Sequence, residues 1–488
     1  MDGSQVDSIW WCWGDMNYAP YPSRILPVND EYQRWCQQGL DPMPICVDKT
    51  RERGIEAFCS FRLNESGAGG SGTGNPEHWG VWPAIKQHPH WGQPSPIWPA
   101  PFQHFNFAVE EVRQHKLAII REVMENYDFD GLELDWRCGY GCLPFHHKWE
   151  HRDHLTAFVR SVRQLLLELS QQRGRPLLLA ARVPENIEGC HWDGLHVERW
   201  IQDDLVDLLA LGCKSFEVDL DAFRCLTRDT HIQLYPSMDD HHRAGGYEQP
   251  SIELYRGVAS SFLQQGADGI YAFNWYPVPA ILDHRASPPQ EQMRRQALCE
   301  MGSTETLERR NKVFATQRRG GGGWSECAEY FYKNSSAFAQ LPKVLSTASI
   351  DEDGQPTETY IAIAVGDDVH GQADAVERVQ LRVLLSDAAA AGTPWKDRIH
   401  PEPVTICTHS SRNCAEPPVR AIQHDLRARV NGVVLGEPAL QEGWLVYDVK
   451  PVQLALGRNV VALKLQDGHR TWGDQITVEK LEIEVKYL

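Results

Sequence analysis

The chain has 488 residues, of which 42% are hydrophobic, and a formal net charge of −18. Because one domain usually has roughly 100–250 residues, this length predicts two or three domains, each large enough to bury a core. An acidic surface of this kind argues against nucleic acid or an anionic membrane as the main partner, since both are themselves negatively charged.

The sequence also bears on compartment and cofactors. No stretch has the ~20 apolar residues of a transmembrane helix, and residues 1–14 lack the basic and apolar regions of a signal peptide. We therefore expect a cytoplasmic protein, or a secreted or periplasmic one if a signal has been removed. The 13 cysteines lack metal-finger spacing, so no metal or other cofactor is predicted. Whether Cys407 and Cys414 form a disulfide stays open.

From the N-terminus to about residue 285, short β-branched or aromatic segments alternate with segments of helical period, which is typical of βα units around a parallel sheet. Eight strands are predicted, at residues 8–14, 55–61, near 97–105, 131–136, 177–183, 206–212, 231–237 and 269–275. A helix follows the fourth strand and stops at "GRP", 174–176; the residues of its apolar face are Leu155, Phe158, Val159, Val162, Leu166 and Leu169. Eight such units predict a (β/α)8 TIM barrel.

A basic, helical tail then runs to four glycines at residues 320–323, which mark a domain boundary. The predicted domains are a barrel with its tail, residues 1–318, and a second domain, residues 319–488. The second domain alternates apolar and polar residues, as in "TYIAIAVG" and "NVVALKLQ". Strands without intervening helices predict an antiparallel β-sandwich.

The fourth predicted strand carries two carboxylates. Alternate residues of a strand point to opposite faces, so Leu132, Leu134 and Trp136 face the helices, and Glu133 and Asp135 face the barrel interior. Because a buried carboxylate without a partner is costly, we expect Glu133 to pair with an inward arginine. Asp135 lies nearer the C-terminal end of the strand, where TIM barrels carry their active sites. Asp135 is therefore the first candidate catalytic residue.

The same strand carries a family resemblance. The segment "YDFDGLELD", residues 127–135, resembles the YDxDGxxxD motif of family-10-like glycosyl hydrolases and, more distantly, the DGxDxDxE motif of family 18. Tyr127, Asp130, Gly131 and Asp135 match the first motif. Arg137 stands where family 18 has its catalytic glutamate, so the resemblance does not extend to substrate-assisted chemistry. It implies a TIM-barrel glycosidase; the C-terminal strands likewise resemble jelly-roll accessory domains that bind carbohydrate.

Glycoside hydrolysis ordinarily needs a second carboxyl group on the other side of the scissile bond. One candidate is Glu185, which follows the fifth predicted strand and neighbours the fourth. The other is Asp239 or Asp240 after the seventh strand, where a wider separation would suit inversion of configuration. Glu217 and Asp15 are weaker candidates. The choice between Glu185 and Asp239 or Asp240 stays open.

Basic residues recur at the ends of predicted strands: Arg62, Arg137, Arg182 and Lys214. On a chain of charge −18, they predict either an anionic ligand, such as a uronate or sulfate, or counter-ions for the barrel carboxylates. The other candidate substrate-binding residues are Asn64, Tyr235, Asn274 and Trp275, with Trp13 and Trp192 as further aromatic platforms for sugar rings.

These patterns predict a glycoside hydrolase with a carbohydrate substrate, a polysaccharide or oligosaccharide. Two alternatives stay open. One is a non-catalytic carbohydrate-binding protein on a degenerate barrel. The other is a barrel lyase or isomerase that acts on uronates or sugar phosphates, although "NWYPVPA" lacks the glycine of a phosphate loop. The sugar, the linkage, the anomeric outcome and the oligomeric state are not predicted.

Overall fold

A computed structural model describes residues 3–12, 18–28, 30–64, 82–94, 103–139, 141–212, 216–239, 250–273, 275, 288–317, 340–345, 357–387, 426–465 and 476–488. The chain forms two compact units. The N-terminal unit comprises Val6–Cys213 and Asp221–Tyr235, and the C-terminal unit comprises Met1–Gln5, Lys214–Leu220 and Pro236–Leu488. The predicted boundary at residues 318 and 319 lies outside the described residues, so those domain limits stay a prediction.

Strands and helices alternate over most of the first 310 residues. The strands are β1 (Ser8–Cys12), β2 (Glu56–Asn64), β3 (Gly92–Pro94), β4 (Gln103–Phe105), β5 (Gly131–Gly139), β6 (Leu178–Val183), β7 (Leu208–Leu211), β8 (Gln233–Asp239) and β9 (Tyr271–Phe273). The helices are α1 (Asp30–Gln37), α2 (Pro42–Arg51), α3 (Pro83–Gln87), α4 (Glu110–Asn126), α5 (Arg152–Arg173), α6 (Ile187–Trp192), α7 (Val197–Gln202), α8 (Leu220–Thr227), α9 (Ile252–Gln264), α10 (Pro288–Glu300) and α11 (Thr304–Leu307).

Seven strands form a curled parallel sheet, in the order β1, β2, β5, β6, β7, β8, β9. Within the described residues this half barrel is open, because β1 and β9 are edge strands. The fold is therefore a mixed α/β fold, and the prediction of a closed eight-stranded barrel is corrected to seven strands in an open sheet.

The third predicted strand accounts for the difference. Gln103–Phe105 pairs antiparallel with Gly92–Pro94 in a separate two-stranded sheet, while β2 pairs directly with β5. Four prolines lie between residues 94 and 101. Proline has no backbone N–H to donate and is therefore excluded from central strands. This composition opposes a strand inside the parallel sheet.

Close packing inside the half barrel explains why the first residue of β5 is glycine. The Phe58 ring lies over Gly131, and a Cβ atom at Gly131 would be 2.3 Å from it. Phe58 also stacks on Trp10 with ring centroids 4.9 Å apart, and both rings belong to one interior cluster with Ala180 and Leu208. The close approach of Phe58 requires glycine at this position of the motif.

Helix α5 follows the predicted pattern. All six residues of its predicted apolar face are buried, and Gly174 ends it with φ of 65°. A positive φ is favourable for glycine because it has no Cβ atom. The prediction of this helix and its end is confirmed. Among the described helices, none is both long enough and apolar enough to span a membrane.

The remaining strands are β10 (Lys312–Ala315), β11 (Lys343–Leu345), β12 (Thr359–Val365), β13 (Val376–Asp387), β14 (Leu426–Val430), β15 (Val433–Val434), β16 (Ala439–Gln441), β17 (Trp444–Val449), β18 (Gly457–Leu465) and β19 (Ile476–Tyr487). One sheet has the order β10, β19, β13, β17, β16, with β11 also paired to β19. The other has the order β12, β18, β14, β15. Both are antiparallel.

The two antiparallel sheets share a hydrophobic cluster. It includes Ile361 and Val461 of the four-stranded sheet and Leu381 and Leu481 of the six-stranded sheet. The predicted helical tail is confirmed for α10 and α11 but is wrong for residues 312–315, which pair with β19. Valine and phenylalanine at the centre of that segment favour a strand over a helix.

Candidate functional site

The register of β2, β5 and β6 arranges polar residues in two rows across the inner face of the half barrel. Ser60 lies beside Glu133 in the first row. In the second row, one step towards the C-terminal ends, Arg62 lies beside Asp135 and Asp135 beside Arg182. Parallel strands with alternating residues therefore bring three charged side chains side by side at this level.

Arg182 connects the two rows. Its Nη2 atom donates a hydrogen bond to Asp135 Oδ2, and its Nε atom lies 3.2 Å from Glu133 Oε1. Ser60 Oγ donates to Glu133 as well. The predicted ion pair between Glu133 and an inward arginine is confirmed, and it includes Asp135. The side chains of Glu133, Asp135 and Arg182 are at most 1% exposed.

Arg62 is the partly exposed residue of this cluster. Its Nε atom lies 3.9 Å from Asp135 Oδ2, and its side chain is 20% exposed. Asp135 thus has a buried cation on one side and a partly exposed cation on the other. A carboxylate that accepts hydrogen bonds from a guanidinium group fits the role of nucleophile or base and not that of proton donor.

Glu185 lies two residues beyond β6 and is 1% exposed. It packs against Gly212, the residue after β7, where a Cβ atom would be 2.5 Å from Glu185 Cγ. Gly212 has φ of 81°, and its N–H donates to Val183 O at 2.7 Å. Glycine is required there by both the close contact and the backbone conformation. The ends of β6 and β7 therefore place Glu185 at the C-terminal edge of the sheet.

Several candidates fall partly or wholly outside the described residues. Asp239 is the last residue of β8 and pairs with Phe273 of β9, and Arg137 lies within β5; only their backbone is described. Those that lie outside are Trp13, Asp15, Lys214, Asp240 and Asn274. The structure therefore leaves the choice between Glu185 and Asp239 as the second carboxyl group open.

Asn64, at the end of β2, binds backbone groups. Its amide accepts from Phe105 N and donates to Phe105 O, both at 2.9 Å, and it also donates to Gly141 O at 3.1 Å. These bonds tie β2 to β4 and to the segment after β5. The contacts give Asn64 a structural role, and its role in substrate binding stays a prediction.

The aromatic candidates differ in exposure. Tyr235 packs against the interior cluster of the half barrel, and its hydroxyl donates to Gln233 Oε1 at 2.8 Å. Trp275 Nε1 donates to Arg294 O at 3.2 Å. Trp192, on α6, is 53% exposed. Of these three, Trp192 presents the most ring surface to solvent.

The other residues of the YDxDGxxxD motif stabilise the N-terminal end of β5. Tyr127 donates to Asp41 Oδ2 at 2.8 Å. Asp130 accepts from Arg51 at 2.6 Å, from Arg175 at 2.8 Å and from Ala57 N at 2.9 Å. In a parallel α/β sheet, residues at this end contribute to stability, and chemistry lies at the opposite end. Of the motif residues that match, only Asp135 lies towards the C-terminal end of β5.

Glu217, a weak candidate in the sequence, lies in the C-terminal unit and has a carboxyl group with a raised pKa. Burial raises its pKa to about 7, against hydrogen bonds from the Gln317 backbone and the Gln340 side chain, which lower it. The Gln317 N–H donates to Glu217 Oε1 at 3.1 Å. No local signal marks this setting, because Gln317 lies 100 residues further along the chain. Among the described residues, no cluster of three or more His, Cys, Asp or Glu suits a metal ion.

No family model matches the chain, and no curated protein matches it. Among solved structures, it is similar to the glycoside hydrolase domain of PelA from Pseudomonas aeruginosa, with 14% identity and a TM-score of 0.30 over 48% of this chain and 84% of that one. An α-amylase from Anoxybacillus gives 11% identity and a TM-score of 0.34 over 88% and 80%.

A third similar structure is a family 36 α-galactosidase from Geobacillus stearothermophilus, with 11% identity and a TM-score of 0.32. The similarity covers 91% of this chain but 46% of that enzyme, so the chain spans less than half its length. Likenesses of this strength do not assign an activity. Function is therefore derived from the residues of the site.

Proposed function

We propose that the protein is a glycoside hydrolase that acts on a polysaccharide or oligosaccharide. The observation that supports this most is the position of Asp135, which lies towards the C-terminal end of β5 between Arg62 and Arg182. In folds built from parallel strands and helices, this edge is where ligands bind and reactions occur.

The proposed mechanism uses Asp135 as the ionised carboxylate and Glu185 as the acid. The acid gives its proton to the glycosidic oxygen as the bond to the anomeric carbon breaks. Asp135 either attacks that carbon, forming a glycosyl ester that water then hydrolyses with Glu185 as the base, or removes a proton from the water molecule that attacks the carbon directly. Glu185 fits the role of the acid because it is buried at the end of the neighbouring strand, against Gly212. Asp239 remains the alternative acid.

A second candidate function is a non-catalytic carbohydrate-binding protein on a degenerate barrel. One observation favours it: the Asp135 side chain has no exposed surface and pairs with Arg182. A nucleophile must reach its substrate, so turnover requires that the sugar can approach Asp135 from the side on which Arg62 lies. The two functions differ in whether sugar is released.

The contacts favour a counter-ion role for Arg182, which lies between Glu133 and Asp135. An anionic sugar at this edge of the sheet would then bind through Arg62, Arg137 or Lys214. We also propose that the two antiparallel sheets pack as a β-sandwich, and that this sandwich is an accessory domain for carbohydrate.

The experiment is to incubate the purified protein with neutral, uronic and sulfated polysaccharides and to detect new reducing ends. We expect release from one class and its loss in Glu185→Gln, with Asp239→Asn as the matched comparison. Binding of a polysaccharide without any new reducing ends would support the non-catalytic function and refute hydrolysis.

A further inference from the structure

The four-stranded antiparallel sheet of the C-terminal unit has two unlike faces. Its inward residues, such as Ile361, Leu463 and Val430, are buried in the shared hydrophobic cluster. Its outward residues alternate with them along β12, β18 and β14, because successive residues of a strand point to opposite faces. They are Tyr360, Ala362 and Ala364, Arg458, Val460, Ala462 and Lys464, and Arg427 and Arg429. We call these nine residues the outer face.

The outer face is basic on an acidic protein. Four of its nine residues are cationic and none is acidic, whereas the whole chain carries a net charge of −18. The one carboxylate that contacts it within the described residues is Glu358, just before β12, which pairs with Arg429 and accepts from the Tyr360 hydroxyl at 2.8 Å. Cations in such excess on one sheet face attract an anionic ligand.

The outer face also carries one aromatic ring. Tyr360 is 57% exposed, and alanines lie beside it at positions 362 and 462. Ala462 is only 6% exposed, so a ligand would contact the exposed ring of Tyr360, whose amphipathic character suits a partly polar ligand. Tyr360, Ala462 and Arg429 are register neighbours on three adjacent strands. Since strands lie about 4.8 Å apart, the Cα atoms of Tyr360 and Arg429 are about 10 Å apart, while their side chains both contact Glu358.

The outer face of the six-stranded sheet provides the contrast. There Arg382 lies 3.3 Å from Glu482, and Lys486 and Arg378 lie 3.4 Å and 4.0 Å from Glu484. Its cations are neutralised by carboxylates of the same sheet. The basic face of the four-stranded sheet is therefore not a general property of this unit.

We propose that the outer face binds an anionic polysaccharide, with one sugar ring stacked on Tyr360 and its carboxylates or sulfates bound by Arg427 and Lys464. Guanidinium groups match the planar, two-oxygen geometry of such groups. This inference rests on the proposed function, because it gives the hydrolase a second contact with its polymer.

Other polyanions fit the outer face less well. Duplex DNA carries one charge per ~1.7 Å and is repelled by the remaining acidic surface. A membrane-surface site combines basic residues with Trp, Phe or Leu side chains that insert into the lipid, whereas the aliphatic residues of this face are Val460 and three alanines. A polysaccharide with one charge on each sugar offers a ring that can stack on Tyr360 and anionic groups that the neighbouring cations can bind.

The test measures binding of polygalacturonate by calorimetry in an Asp135→Asn background, so that hydrolysis does not disturb the reading. Tyr360→Ala and the double variant Arg427→Gln, Lys464→Gln should each weaken binding by about tenfold or more. The double variant should also reduce the dependence of affinity on salt. Tyr360→Phe keeps the ring and should bind as the parent does.

The matched control is Arg378→Gln, Lys486→Gln, which removes the same charge from the other sheet and should leave affinity within about twofold of the parent. Equal binding by the parent and the Arg427, Lys464 variant would overturn the proposal. So would equal affinity for carboxyl-reduced polygalacturonate, for duplex DNA or for anionic vesicles. Binding without hydrolysis by the wild type would refute the proposed function and leave this inference standing.

Discussion

The inner face of the parallel sheet and the outer face of the four-stranded sheet both place arginines on neighbouring strands, with opposite surroundings. Arg182 is fully buried and contacts two carboxylates, Glu133 and Asp135. Arg427 lies exposed on a sheet face that has no carboxylate of its own. The buried arginine pairs with carboxylates of the protein, whereas the exposed arginine is on the surface, where a ligand can bind it.

This difference shows why a count of cations at strand ends is a poor guide to a binding site. Charge attracts a ligand only where the protein has not already neutralised it, and burial favours neutralisation because an unpaired buried charge is costly. Substitution of a buried charge should therefore destabilise the protein more than substitution of an exposed one.

Arg182→Met should lower the free energy of unfolding by about 3–5 kcal/mol, because it leaves two buried carboxylates without their cation. Chemical denaturation measures it. Arg427→Met is the matched control, and a surface change of this kind should stay within about 0.5 kcal/mol. A loss below about 1 kcal/mol for Arg182→Met would show that Arg182 is not the counter-ion of this cluster.

Glu133→Gln should have a smaller effect, about 1–3 kcal/mol, because Arg182 keeps its bond to Asp135 while one charge-assisted contact is weakened. The melting temperature should fall and hydrolysis should persist. An unchanged melting temperature together with lost activity would mean that Glu133, and not Asp135, is the catalytic carboxylate.

Glu217 extends the comparison to a half-buried residue whose carboxyl group accepts hydrogen bonds from amides. Its pKa is raised from 4.5 to about 7 by burial, so the folded protein holds a proton that the unfolded chain has lost between these pH values. Its contribution to stability is therefore fully present below pH 4.5 and is lost as the pH rises through about 7.

Glu217→Gln should remove that pH dependence. We expect the wild type to lose more unfolding free energy between pH 5 and pH 8 than the variant, as measured by denaturation at both pH values. Identical pH profiles would show that Glu217 is not protonated in the folded protein. Glu437→Gln, at an exposed position, is the control for a change of charge alone.

Local patterns in the sequence predicted what depends on neighbouring residues. The alternation in "GLELDW" gave the inward direction of Glu133 and Asp135, and the helical period of α5 gave its buried face. The pairing of Gln103–Phe105 with Gly92–Pro94 was missed, although the four prolines between residues 94 and 101 oppose a strand of the parallel sheet at this point.

The outer face was missed for a similar reason. "LRARV" and "GRNVVALKL" show their alternation plainly, but they meet Tyr360 only because the sheet order is β12, β18, β14. Tyr360 and its register partner Ala462 lie about a hundred residues apart in the chain. The same holds for Gly212 and Glu185, whose contact depends on adjacent β6 and β7.

Turnover of the best substrate by Asp135→Asn tests most directly whether Asp135 is a catalytic residue of the hydrolysis. The variant should fold, because asparagine can still accept a bond from Arg182, and its kcat should fall by about 10³ or more, since the nucleophile or base is gone. A variant that keeps more than about a tenth of the wild-type turnover would contradict the assignment.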